Sequence, residues 1–205
     1  MTNIVFSSRN RSKINQVKGV FAGSRFIIRS LDELGIQGEV EEDGPSLTDN
    51  ALLKALFAYQ DEKGKGQYIV AEDTGLFINS LEGRPGIHSA RWAGPGKTTE
   101  EIMRFTLEVM KNVRHLHDRG AYFQTIAVLI SPAGEQEVFD GIAPGTIIFE
   151  PQCECQPGMP YSAIFRPAGF DKVWAQMSLD EENAVSHRGR AFRKLLEHLN
   201  RTVPM

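Results

Sequence analysis

The chain has 205 residues, 41% hydrophobic and 24% charged, the composition of a globular protein that buries a core of its own. A formal net charge of -3 gives no long-range pull toward nucleic acid, so a nucleic-acid partner is not expected. No stretch approaches the roughly 20 apolar residues of a membrane span, and the apolar run at Met1–Phe6 is too short for a signal peptide, so the expectation is a cytoplasmic protein with no membrane partner. The two cysteines, Cys153 and Cys155, have no second Cys/His pair at zinc-finger spacing and read as loop thiols.

Ile4-Val5-Phe6 reads as a short buried strand running into the polar turn Ser7–Asn10, after which Ile14, Val17, Val20 and Phe21 recur at helical spacing. Phe26-Ile27-Ile28 suggests a second strand. An acidic run from Glu39 to Asp43 then precedes Ser46-Leu47-Thr48-Asp49, which has the form of a capping box. The helix opened there is expected to carry Leu52, Ala55, Leu56 and Tyr59 on one stripe and Asn50, Lys54 and Phe57 on another. Tyr68–Ala71 reads as a buried strand ending on Glu72-Asp73-Thr74-Gly75, before a Gly/Pro-rich loop from Gly83 to Gly96. A helix is expected over Thr99–Val113, with Ile102, Phe105, Val109 and Met110 on one side. Strands are expected at Tyr122–Ile130, Glu137–Phe139 and Thr146–Phe149, separated by Gly/Pro turns. The last helix starts at Ser186 and buries Ala191, Phe192, Leu195, Leu196 and Leu199. The pattern is a mixed α/β chain, best served by one long mixed sheet, two lobes and a cleft between them.

Four segments carry candidate chemistry. Ser8-Arg9-Asn10-Arg11-Ser12-Lys13, at a strand-to-helix junction, offers helix N–H groups, hydroxyls and cations as a phosphate cradle, though a solvated basic turn has the same residues. Glu72-Asp73 at a strand end places two carboxylates where unpaired burial is expensive, and hard oxygen ligands there suit Mg²⁺; a capping Asp beside a solvated Glu is the plainer reading. The run Glu39–Asp43 either supplies a second metal carboxylate or is a solvated loop. Ser186-His187-Arg188 sets cations in a helix's first turn, against its dipole, which points either to an anionic or carbonyl-bearing partner or to an exposed basic turn. Gly94-Pro95-Gly96-Lys97-Thr98 imitates the tail of a P-loop, but Arg91 stands where the first glycine is required and no strand precedes it.

The order of these segments resembles the inosine triphosphate pyrophosphatase family over nearly the whole chain. Ser8–Lys13 resembles its T/S-x-N-x-x-K opening, and Glu42-Asp43-Gly44 with Asn50–Ala55 its E-x-G…ENAxxKA segment. Ala71–Leu76 is similar to its [DE]-D-[ST]-G-L signature, Leu81–Gly94 to its glycine loop, and Asn183–Ala191 to its N-x-x-SHR-x-x-A. The resemblance implies an elongated, curved mixed sheet with helices on two lobes of a single domain spanning the chain, and a homodimer. It also implies Mg²⁺-dependent hydrolysis of non-canonical purine triphosphates, such as ITP, dITP and XTP, to monophosphate and pyrophosphate. Metal ligands fall on Glu42 and Asp73, and the proton acceptor on Asp73, with Glu72 beside it. Phosphate contacts fall on Ser8 to Lys13, Lys54 and Thr74, and base contacts on His187 and Arg188.

The chain departs from the pattern at the base pocket. Where the family carries F-G-[YW]-D-P, the chain reads Met159-Pro160-Tyr161-Ser162-Ala163, and its lysine before N-x-x-SHR is Glu182. A carboxylate accepts where lysine donates, so Glu182 either receives an amino group of a different base or points to solvent. Altered base selectivity is therefore expected, and a catalytically weak, nucleotide-binding regulatory paralogue is the alternative.

Overall fold

A single seven-stranded mixed sheet carries the helices in the computed structural model, which describes residues 1–204. In chain order the elements are β1 (Thr2–Phe6), α1 (Arg11–Val20), β2 (Phe26–Ser30), α2 (Leu31–Leu34), α3 (Leu47–Gln60), β3 (Tyr68–Ile78) and β4 (Pro85–Gly86). They continue with α4 (Thr99–Val109), β5 (Gly120–Ile130), β6 (Gln136–Ile147), β7 (Phe165–Pro167), α5 (Leu179–Val185) and α6 (His187–Thr202). The sheet order is β2-β1-β3-β5-β6-β7, with β4 paired to β3 off this path; β1 is parallel to β2 and β3, and the other pairings are antiparallel.

The acids Glu72 and Asp73 do not end their strand. β3 runs on through Ile78 because β5 pairs with it from Ile69↔Ile130 to Ile78↔Ala121, satisfying the backbone along one whole edge. Its other edge pairs with β1 only as far as Phe6↔Val70 and meets β4 at Leu76. Between those points the edge of β3 is free of strand partners, and there the two carboxylates sit.

β6 is likewise one strand where two were expected. Gly141 and Gly145 are not turn residues but close approaches: a Cβ at Gly141 would lie 2.0 Å from the His187 carbonyl oxygen, and one at Gly145 2.4 Å from that of Arg166. The short β7 and α5 carry too few residues to show a period.

Two helical stripes also shift. α3 buries Leu47, Ala51, Ala55 and Ala58, whose small side chains let it lie close on the sheet, while Leu52, Leu56 and Tyr59 are half-buried at the margin. α4 ends at Val109 and buries Ile102, Met103 and Thr106, with Met110 behind it; Phe105 and Val109 face outward, Phe105 edge-on to Trp92. Ser46 caps α3 by accepting from the Asp49 N–H, but Asp49 takes the Ser46 hydroxyl instead of a backbone N–H, so the box is half made. In the P-loop imitation Thr98 caps α4 and Lys97 pairs with Glu101, both exposed. Both thiols are free, and Cys155 Sγ lies 3.5 Å from Met103 Sδ.

One face of β3 and β5 carries two apolar clusters. One holds Val70, Ala127 and Leu129 under α1 and α6; the other holds Leu76, Ile78, Ala121 and Phe123 beside α4 and Trp174. Between them the same face turns polar at Glu72, Thr74 and Thr125, with Thr74 directly opposite Thr125. The opposite face packs Ile69, Ala71, Ile126 and Val128 under α3.

Candidate active site

Successive residues of a strand point to opposite faces, so Glu72 turns toward α1 and α6 and Asp73 toward α3. Glu72, 3% exposed, is saturated with donors: Lys13 Nζ stands 2.6 Å from Oε1, while Oε2 accepts from Thr74 Oγ1 at 2.7 Å and Arg188 Nη2 at 3.3 Å. Burial alone would raise its pKa, but Arg188, Lys13 and Lys54 outweigh that and hold the carboxyl well below its usual range. This pairing explains a cation in the first turn of α6: Arg188 answers Glu72. His187 is buried, and burial plus neighbouring Arg188 drive its pKa well down, leaving it neutral.

The proton positions around His187 follow from counting hydroxyl hydrogens. Thr74 must spend its single hydrogen on the Glu72 carboxylate, so in the 2.6 Å contact with Thr125 it accepts. Thr125 thereby spends its own hydrogen and accepts in the 2.5 Å contact with His187 Nδ1. The histidine therefore carries Nδ1–H, and its Nε2 is a bare acceptor. Its ring stacks on Phe123 at 5.0 Å.

On the other face, Asp73 Oδ1 accepts from Lys54 Nζ at 3.1 Å and Oδ2 from Asn50 Nδ2 at 3.2 Å. Asn50 is itself fixed, its Oδ1 accepting from the Gly44 N–H. Burial raises the Asp73 pKa, opposed by Lys54 and Lys13. For Lys54, burial is outweighed by the carboxylates of Asp73, Glu42 and Glu72, and its pKa is raised. Among the described residues no three His, Cys, Asp or Glu side chains gather as a metal cluster. However, Glu42 Oε2 and Asp73 Oδ1 converge on one ammonium, at 2.9 and 3.1 Å, so the protein sets positive charge between two hard oxygen donors. Such a donor pair, completed by phosphate oxygens and water, fits Mg²⁺.

Two cavities flank this centre and share Lys13 as a wall. The polar one is lined by Ser7, Ser8, Arg9, Asn10, Lys13, Glu42, Lys54 and Glu72 at the amino end of α1. The second is lined by Phe123, Tyr161 and Trp174 with Thr74, Gln156, Ser162, Glu182, His187 and Arg188. Asp73 lines neither, because Lys54 and Asn50 cover it. Of the turn residues, Asn10 caps α1 and Arg9 is engaged by Asp32 and the Ile36 carbonyl. Ser12 donates to the Pro157 carbonyl, and Arg11 is exposed; neither lines either of these two cavities.

In the aromatic cavity Tyr161 OH donates to the Ser89 carbonyl at 2.7 Å, and Ser162 Oγ accepts from the Gln156 N–H at 2.8 Å. Glu182 does not point to solvent: it is 5% exposed, with Oε1 accepting from Gln16 Nε2 at 2.6 Å and Oε2 from Gln156 Nε2 at 3.2 Å. Burial raises its pKa against the donors around it. Gln16 in turn accepts from Arg188 Nη1. Gln16, Gln156, Thr125 and Asn50's hold on Asp73 carry no local signal in the sequence, since their partners lie up to 172 residues away.

Residues 4–198 match the Ham1 family. A dITP/XTP pyrophosphatase of Caldanaerobacter subterraneus subsp. tengcongensis is 38% identical over 200 residues, 97% of this chain and 96% of that protein. One of Clostridium perfringens is 36% identical over 202 residues, covering 97% and 98% of the two chains. Among solved structures, the Staphylococcus aureus Ham1 protein superposes with a TM-score of 0.79 at 33% identity, over 97% of this chain and 98% of that one. A HAM1 protein from Coxiella burnetii gives 0.83 at 28% identity, over 98% and 100%. The curved mixed sheet and the ordered motifs agree with this likeness, and the chain belongs to the Ham1 family, the nucleoside triphosphate pyrophosphatases its sequence resembles.

Proposed function

We propose that the chain is a Mg²⁺-dependent pyrophosphatase that converts non-canonical purine triphosphates of the dITP/XTP class to monophosphate and pyrophosphate. The observation that carries this reading is the pair of cavities sharing Lys13: one polar, with Arg9, Lys13 and Lys54 among its walls, the other aromatic, the two halves a nucleotide would fill. The names of the relatives support the purine class. We further propose a cytoplasmic homodimer of single-domain subunits, each with its site between two lobes.

In this reading the phosphates lie along Ser8, Asn10, Lys13 and Lys54, where charge-assisted contacts hold them and offset charge on the leaving pyrophosphate. Glu42 and Asp73 would hold Mg²⁺, which when bound would supply positive charge against the phosphates and acidify water at the site. Lys54, which stands between those carboxylates, also borders the polar cavity that takes the phosphates. Water adds to phosphorus, its proton passes to an Asp73 oxygen, and the bond to pyrophosphate breaks. Glu72, spent on Lys13, Arg188 and Thr74, is a poor base, which leaves the proton to Asp73. Glu72 and Thr74, acting through Thr125, position His187, and the base enters between Tyr161, Ser162 and His187. With Glu182 where the family pattern has lysine, the hold on a 6-keto oxygen is weaker, and base selectivity is set by other groups.

The test is pyrophosphate release from dITP, XTP, ATP and GTP at millimolar Mg²⁺. Release from the first two, abolished by chelation, is expected. Tight binding of nucleotides with no release from any of them would instead establish a regulatory nucleotide-binding protein.

A further inference from the structure

Each oxygen of the buried Glu182 carboxylate is taken by an amide donor, yet the residue lines the aromatic cavity, and its environment fixes more than itself. Arg188 can only donate, so Gln16 must turn Oε1 to it and Nε2 to Glu182. Glu182 thus accepts on one side, and its second oxygen takes the Gln156 Nε2–H. That orientation sends Gln156 Oε1 the other way. Gln156 lines the cavity, its backbone N–H is pinned by Ser162 Oγ, and among the described residues its Oε1 receives no hydrogen bond. The tautomer derived for His187 puts a second bare acceptor, Nε2, on a residue of the same cavity.

Resting on the proposed nucleotide site, we infer that Gln156 reads the base and Glu182 positions it: Glu182 holds the amide so that Gln156 Oε1 accepts the N1–H of a 6-keto purine. Adenine carries a lone pair at N1, and an acceptor facing an acceptor is repelled. Discrimination against adenine therefore comes from the ring N–H, not from a cation on the keto oxygen. Glu182 is a positioning residue that acts through Gln156.

The experiment compares affinities for IMP and AMP by calorimetry, which needs no turnover, in wild type, Gln156→Ala, Glu182→Ala and the double variant; kcat/KM for ITP and ATP is measured in parallel. Wild type is expected to favour IMP. Gln156→Ala should cut the IMP:AMP ratio about tenfold, the effect of one hydrogen bond in a desolvated pocket. Glu182→Ala should cut it by a similar factor, and the double variant should lose no more than either single one, since both remove the same contact. A defect of packing alone would weaken IMP and AMP together and leave the ratio unmoved; that result, strictly additive losses, a wild type favouring AMP, or no binding of either nucleotide would overturn the inference. If the ratio behaves as expected while no triphosphate releases pyrophosphate, the inference stands and the proposed activity falls.

Discussion

Asp73→Asn is the substitution that separates chemistry from architecture most cleanly. An asparagine has the same shape, but its amide offers one acceptor where Asp73 offers two, and two donors converge on that position: Lys54 Nζ at 3.1 Å and Asn50 Nδ2 at 3.2 Å. Asn50 cannot flip to help, because its Oδ1 is held by the Gly44 N–H. One donor–donor contact therefore remains whichever way the new amide turns. Stability should fall only modestly, about 1–2 kcal/mol, because Lys54 keeps Glu42 and a buried carboxylate no longer has to be desolvated. Turnover should fall by at least about a hundredfold, or about 2.7 kcal/mol on the barrier, since the amide neither takes a proton nor binds Mg²⁺ well. Pyrophosphate release from dITP at saturating Mg²⁺, paired with thermal unfolding, reads both quantities. Activity within about threefold of wild type, roughly 0.65 kcal/mol, would refute the role of Asp73 as proton acceptor.

Lys13→Ala should weaken dITP binding by about tenfold to a hundredfold more than it weakens deoxyinosine, as one charge-assisted phosphate contact is lost; equal losses, seen by calorimetry, would show that Lys13 does not meet phosphate. Gly141→Ala sets a methyl 2.0 Å from the His187 carbonyl oxygen and 2.7 Å from the Ala191 nitrogen, so the start of α6 must move. An overpacking cost of about 1–3 kcal/mol lowers Tm by several degrees and disturbs His187 and Arg188, so an unchanged melt and kcat would contradict the close approach. His187 has a folded-state pKa well below its ordinary 6.5, so below that pH the unfolded chain binds a proton the folded one refuses. Stability is full above about pH 6.5 and falls below it, by up to about 1.4 kcal/mol per unit. Urea midpoints of wild type should therefore drop between pH 6.5 and 5 more steeply than those of His187→Phe, and parallel curves would exclude a buried neutral histidine.

The parts of the fold legible in the sequence are those with local causes. The strand, polar turn and helix at the amino end, and the caps at Ser46 and Ser186, rest on contacts a few residues apart. The misread parts depend on what lies across the sheet. β3 looks as if it ends at Ala71 because polar residues follow, but β5 supplies its backbone partners and the two faces absorb the charges. Gly141 and Gly145 look like turn formers, and only α6 and β7 reveal them as clearances. On α3 the hydrophobic count favours Leu52, Leu56 and Tyr59, whereas the tight fit to the sheet selects the alanines. At the site, the sequence order pointed to Lys13, Lys54, Glu42, Asp73 and Arg188, which the structure gathers around one centre. It pointed equally to Arg11 and Ser12, which line neither of the two cavities, and was silent on Gln16, Gln156 and Thr125, whose roles arise only when distant segments meet.

The pleat of β3 has a consequence for how this protein can change over generations. Glu72 and Asp73 owe their different surroundings to parity alone: one carboxylate is locked between Lys13 and Arg188 and the other held by Lys54 and Asn50, through nothing more than odd and even places along an extended chain. A one-residue insertion or deletion upstream in β3 would exchange their faces, sending Glu72 to the α3 side and Asp73 to the side of Lys13 and Arg188. Point mutations elsewhere cannot undo that exchange piecemeal. The strand is thus a reading frame for the site, tolerant of substitutions at its apolar places and closed to any odd change in its count.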